Sequence, residues 1–418
     1  MGCEILAVNP NNRVISFYAG LEQPLFAGLF LSDQRNKGKD VKILDAEILD
    51  LTVAQTIEAI RNENPSQVVI FVLGQNPSVS STPKMKVTKQ LVDQLIGDVD
   101  LKVAGLHVSA LPQQTKAELG VEVLRGKIFD GTPDMPYDLY PMEKYISHGW
   151  HNLDGTLRQP YAVSYASLNC SQNCRFCNVS ALYGYQHKVF YRDIDKFLAE
   201  IDLLVNKYKV RNIKLFDEHF TVNKQRVNEI CDRLIERRYD LNIWAYARVD
   251  TVDQQMLDKM WKAGFNWLGF GFESGSDKVL DTVNKRANLA QAKRVVKMVH
   301  DAGINVMGNF ILGLESDTIE TMNQTMEFAK NLDIEFINLT NFECLPGSPA
   351  YREQQKDWDK YSQFSTEKDK MRQFRDEAFN DYFLNPNYLN HIRQKFGEQS
   401  VTMVKKMVAE GKPKTRGG

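Results

Sequence analysis

Twice along its 418 residues the chain alternates short apolar runs with amphipathic segments. A short apolar run suits a strand buried on both faces. Apolar residues three and four apart suit a helix that covers one face of a sheet. Alternating the two leaves few solutions, because each crossover helix must return over the sheet and the strands come out parallel. The first series has runs at 5–8, 41–44, 68–73 and 103–106, with helical patterns at 25–37, 53–62 and 84–96. It predicts a Rossmann-like open parallel sheet over residues 1–130. Asn9-Pro10-Asn11-Asn12 follows the first run in place of a glycine-rich phosphate loop, which argues against a dinucleotide site.

Residues 131–160 are rich in proline and turn formers and read as a linker or wrapping loop. The second series places strands at 161–167, 211–216, 241–247, 267–272, 305–311 and 336–340. Its helices fall at 194–207, 224–237, 253–263, 289–302 and 318–332. Six such units predict a partial (β/α)6 TIM-like barrel over 161–350, with chemistry at the carboxyl ends of the strands. The charged, helical residues 351–418 are expected to cap it.

Hydrophobic residues are 43% and charged residues 25%, an ordinary globular balance. Fifty-two Lys and Arg against 53 Asp and Glu give a net charge of -1, so no broad basic surface for nucleic acid is expected. No apolar run approaches the roughly 20 residues of a membrane span. The N-terminus lacks the basic-then-apolar pattern of a signal peptide, and Leu6 argues against acylation at Gly2. The expectation is a cytoplasmic protein in a reducing compartment.

Three of the six cysteines are crowded into Cys170-Ser-Gln-Asn-Cys174-Arg-Phe-Cys177, directly after the first predicted barrel strand. Three thiolates on one loop can converge on a metal. A structural zinc site normally takes four ligands, and Cys3, Cys231 and Cys344 are isolated and read as small buried hydrophobes. A 4Fe-4S cluster, normally held by four cysteines, would here keep one iron open to a small molecule. A three-thiolate zinc site is the alternative.

The C-x3-C-x2-C spacing, with the aromatic Phe176 before the last cysteine, resembles the radical S-adenosylmethionine (SAM) superfamily. That resemblance implies a 4Fe-4S cluster on Cys170, Cys174 and Cys177, with SAM bound at the open iron. It implies reductive cleavage of SAM to a 5′-deoxyadenosyl radical that abstracts hydrogen from a small-molecule substrate. It also implies an external electron donor such as flavodoxin or ferredoxin. The cofactor carries the chemistry, and the protein binds and orients. Further motifs follow in the family's order. Asp217-Glu218 resembles the acidic segment beside the methionine end of SAM, although a helix N-terminal acidic turn reads equally well. Arg248 stands where it can pair with a carboxylate of SAM or substrate, or form a surface salt bridge. Glu273-Ser274-Gly275 resembles the G-x-E-S-G run, with Glu273 accepting ribose hydroxyls and Ser274 beside it. Ile311 takes the adenine-packing place. Beyond it the chain departs from the family, with Glu315, Ser316 and Asp317 replacing Pro, Gly and Glu.

Phe383-Leu-Asn-Pro386 and the N-terminal series are similar to a subgroup that carries a cobalamin-binding-type domain before the barrel. That implies cobalamin-dependent C-methylation. The end of the N-terminal series is shortened and offers no axial histidine, so this part either holds cobalamin or serves as a scaffold over the barrel mouth. A cobalamin-free radical SAM enzyme doing cyclisation, oxidation or rearrangement is the alternative. A metal-stabilised, non-catalytic binding protein is the reading from another class.

Overall fold

The computed structural model describes residues 2–12, 19–75, 77–354 and 368–410. Five parallel strands form the first sheet: β1 (Ile5–Asn9), β2 (Val41–Asp45), β3 (Gln67–Phe71), β4 (Asp100–Ala104) and β5 (Glu122–Leu124), in the order β2-β1-β3-β4-β5. The short edge strand β5, and the helices Leu106–Ala110 and Pro112–Leu119, lie outside the predicted pattern. They are too short to show a period. One face of the sheet packs Ile57, Ile60, Leu91 and Leu95. The other packs the helix Leu25–Asn36, whose Phe26 ring lies 5.9 Å from Tyr183 and 6.1 Å from Phe216 of the second half. Leu25–Asn36 therefore belongs to the core that the two halves share. Gly28 allows that closeness, since a Cβ there would fall 2.3 Å from the Tyr140 hydroxyl.

The second sheet joins β6 (Tyr161–Ser164), β9 (Asn212–Leu215), β10 (Asn242–Ala247), β11 (Phe265–Glu273), β12 (Asn305–Leu312) and β13 (Phe336–Asn341), all parallel and in chain order. The expected first barrel strand ends early. A two-residue β7 (Ser167–Leu168) pairs antiparallel with β8 (Phe190–Tyr191), because Asp217 captures the Ala166 N–H and the Ser167 hydroxyl. Asn223, Asp253, Asn288 and Thr318 cap barrel helices by accepting backbone N–H groups, which ends each loop sharply.

Residues 131–160 do more than link. Trp150 enters the amino-terminal end of the barrel, with ring centroids 5.1 Å from both Trp244 and Trp267. Around it, the Asn212 side-chain oxygen accepts from Asn152 and from Asn242, at 3.0 and 2.9 Å. The open edges of the barrel are covered. Gln23 accepts from the Val163 N–H and donates to the Tyr161 carbonyl on β6. Beyond β13, Tyr382 and Tyr388 donate to the carbonyls of Ile334 and Glu335. The buried Glu335 carboxylate also receives Lys395 at 2.6 Å, which ties the C-terminal helices to the barrel. Among the described residues no helix is long and apolar enough to cross a membrane.

Candidate active site at the cysteine loop

The three cysteines lie on the loop after β7, at the carboxyl end of the barrel, and the loop is anchored on every side. Asn169, with a left-handed φ of +72°, donates from its amide to the carbonyls of Gln186 and Lys188 and accepts from the Cys170 N–H. The Cys177 N–H donates to the Cys174 carbonyl at 3.1 Å, closing a turn around the last two thiols. Arg175 forks onto Glu315 at 2.9 Å and reaches Glu353 at 2.6 Å. Asn178 donates to the Pro346 carbonyl. Glu315, a departure from the family pattern, thus grips the cysteine loop. The turn beyond it is held by Asp317, whose carboxylate accepts from the N–H groups of Gly313 and Leu314 and from the Thr321 hydroxyl.

Asp217 is buried and Glu218 half-buried, and every carboxylate oxygen of the two is used within the chain. Asp217 holds Ala166 and Ser167. Glu218 accepts from the Asn169 N–H at 2.7 Å and the Tyr183 hydroxyl at 2.6 Å. The pair positions the loop that carries Cys170. Burial pushes the carboxyls up, to about 6 and about 7 respectively. Burial also raises the Cys170 thiol to about 11, so a metal must displace its proton.

Two cations face the thiols. Lys285, only 7% exposed, donates to Glu273 at 2.7 Å and lies 6.0 Å from the centre of the Phe176 ring. Arg248 chelates Asp250 at 2.9 and 3.0 Å and donates to the Lys285 carbonyl. Glu273 has a left-handed φ of +65° and folds back over Gly271, where a Cβ would fall 2.2 Å from its carboxylate. Ser274 is spent on Thr325 and on the Ser276 N–H, joining β11 to the helix Ile319–Lys330. Phe176 and Ile311 share a small apolar cluster with Phe342, Val279, Val283 and Leu314, a surface suited to a flat ring. Sequence reasoning missed Lys285. It arrives from a turn twelve residues after Glu273, and no spacing announces it.

Among the described residues, no three His, Cys, Asp or Glu side chains stand close enough to hold an ion as they are. The donor set nevertheless fits an iron–sulfur cluster. Three thiols share one braced loop, the neighbouring carboxylates are engaged elsewhere, and Lys285 and Arg248 offset thiolate charge.

The family model of the radical SAM superfamily matches residues 165–329, which span the cysteine loop and the strands from β7 to β12. These residues form a radical SAM domain. The chain is 26% identical over 387 residues to the uncharacterized methyltransferase PH0819 of Pyrococcus horikoshii, covering 82% of this chain and 81% of that one. It is 30% identical over 226 residues to the anaerobic magnesium-protoporphyrin IX monomethyl ester cyclase of Rubrivivax gelatinosus, covering 53% of this chain but only 38% of the cyclase. In fold it matches the radical SAM methyltransferase TsrM of Kitasatospora setae, solved with cobalamin and a 4Fe-4S cluster. The TM-score is 0.66 at 14% identity, over 84% of this chain and 78% of TsrM. That span is too long for the barrel alone, so the shared fold includes the N-terminal sheet.

Proposed function

We propose that this enzyme methylates a carbon of a small molecule with the help of cobalamin, and that Cys170, Cys174 and Cys177 hold its 4Fe-4S cluster. The observation that carries the reading is the position of the first sheet. Its order places the fold's usual ligand crevice between β1 and β3, at the carboxyl ends of the strands. A cavity there is lined by Asn9, Glu47, Gly74 and Gln75 on one side and by Phe216 of the barrel on the other. The cleft is narrow, and Asn9 and Glu47 are both held by the buried Lys84, so a ring with amide arms has to open it to bind. His107 is not an axial ligand in this reading. Burial lowers it to about 4, and its ring nitrogen is bonded to Thr82 at 3.0 Å.

Bound cobalamin would supply a transferable methyl group, and the cluster would supply the electron that cleaves SAM. The chain's own residues hold and orient. In this reading Glu273 accepts from the ribose, Phe176 and Ile311 pack against the adenine, and Arg248 with Lys285 meets carboxylate charge. Asp217 and Glu218 keep the cysteine loop in register. An external one-electron donor, a flavodoxin or ferredoxin, completes the scheme.

Anaerobic reconstitution with iron, sulfide and cobalamin tests it. Retained cobalt, with both S-adenosylhomocysteine and 5′-deoxyadenosine as products, is expected. No cobalt and 5′-deoxyadenosine alone would overturn methylation. That result would favour cyclisation, oxidation or rearrangement, a reading to which the similarity to the Rubrivivax cyclase lends support.

A further inference from the structure

Four chain segments meet where the first sheet adjoins the barrel mouth. A Cβ on Gly126, just after β5, would lie 3.8 Å from the Gly184 nitrogen. A Cβ on Gly347, after β13, would lie 2.9 Å from both Ala110 and Ala181 and 3.4 Å from the Tyr185 hydroxyl. Gly347 has a left-handed φ of +89°, and this crowding explains the residue. The half-buried Tyr185 stands at the centre, with an unusual φ of +62° for an aromatic residue. The Arg352 guanidinium lies 4.5 Å from the centre of its ring. Arg125 flanks the same contact from the neighbour of Gly126, and both arginines are exposed.

The acids nearby are already occupied. Glu353 pairs with Arg175, Glu122 with Lys102 and Asp130 with Lys37. Among the described residues neither Arg125 nor Arg352 has an acidic partner. Both guanidinium charges are felt at the Tyr185 hydroxyl, which burial pushes up and the two arginines pull down. A fixed planar fork stacked on an aromatic ring is a ready oxyanion receptor.

We propose that Arg125 and Arg352, set around Tyr185, form an oxyanion site on the rim of the barrel mouth, and that the substrate carries a phosphate or carboxylate tail that docks there. Tyr185 follows Cys177 by eight residues, and Asn178 ties that stretch to Pro346, in the turn before the helix Pro349–Gln354 that carries Arg352. A molecule held by its tail at the rim would present a carbon towards the cysteine loop. As a substrate site it rests on the function proposed above; as an anion site it stands on its own geometry.

The test is calorimetric titration of the reconstituted full chain with pyrophosphate and, separately, succinate, each with and without S-adenosylhomocysteine. Saturable binding of at least one anion is expected, unaffected by S-adenosylhomocysteine, and the tighter of the two identifies the tail. The double variant R125Q/R352Q, which alters only exposed side chains, should bind about tenfold more weakly or worse. The remote double variant R61Q/R211Q should match the parent. Binding of neither anion, equal binding by R125Q/R352Q, or displacement by S-adenosylhomocysteine would overturn the proposal. SAM cleavage is followed on the same preparation. Cleavage without anion binding removes this inference alone, whereas anion binding without cleavage removes the proposed function and leaves the site.

Discussion

Replacing Lys285 with Met tests the charge arrangement beside the cysteine loop. The Lys285–Glu273 pair is 2.7 Å long, and its members are 7% and 6% exposed. Burial alone would push the ammonium down, but the Glu273 carboxylate outweighs it and holds Lys285 above its ordinary value. Removing the lysine strands a largely buried carboxylate that is bent back over Gly271. Breaking one side of a buried pair costs about 3–5 kcal/mol, whereas removing both charges is often close to neutral. K285M should therefore lose about 3–5 kcal/mol, E273Q a similar amount, and K285M/E273Q much less than their sum. A favourable coupling of about 2 kcal/mol or more is expected. Urea unfolding of the four proteins, followed by far-UV circular dichroism, measures it. Additive losses in the double variant would refute the reasoning, because they would mean the pair does not exist in solution. S-adenosylhomocysteine binding should weaken in all three variants, including the one whose stability returns.

Cys177→Ala should abolish the brown absorbance of the reconstituted protein and all 5′-deoxyadenosine formation, with unchanged far-UV circular dichroism, since only the cysteine loop is altered. Gly271→Ala should also weaken S-adenosylhomocysteine binding, by pushing the Glu273 carboxylate off the strand; binding equal to the parent would contradict the contact. Burial opposes ionisation of Glu22, but Lys214 at 2.6 Å, helped by a hydrogen bond with His148, holds the carboxyl down at about 2. A depressed carboxyl contributes stability that is present above its unfolded value of 4.5 and is lost as pH falls towards 2. Acid unfolding in that window should thus remove on the order of 3 kcal/mol, and E22Q should flatten the profile there.

Much of this was legible in the sequence because it is local. Three cysteines within eight residues and repeated strand–helix periods need no knowledge of distant contacts. The roles of Asp217 and Glu218 were harder. Their position at a strand end beside a cofactor loop points equally to ligand and to scaffold, and only the hydrogen bonds to Ala166, Ser167, Asn169 and Tyr183 reveal what they hold. Ser274 has the same ambiguity. Lys285 was illegible because its meaning depends on the positive φ of Glu273 and the missing side chain of Gly271. Trp150 sat in a stretch that looked like connector. Its packing against three barrel strands comes from a chain path that composition does not encode.

Gln23 bears on how the molecule is made. A parallel barrel left open between its first and last strands is, while nascent, a template that any passing strand can extend. Here the amide of Gln23 satisfies the N–H and carbonyl groups of β6 as a neighbouring peptide would. The hydroxyl of Tyr137 takes the next carbonyl, that of Val163. Both residues precede the barrel in the chain, so they leave the ribosome before the strand they protect. Residues that precede the barrel thus cover its first edge. Expressing the barrel alone from residue 161 should give a chain that associates with itself.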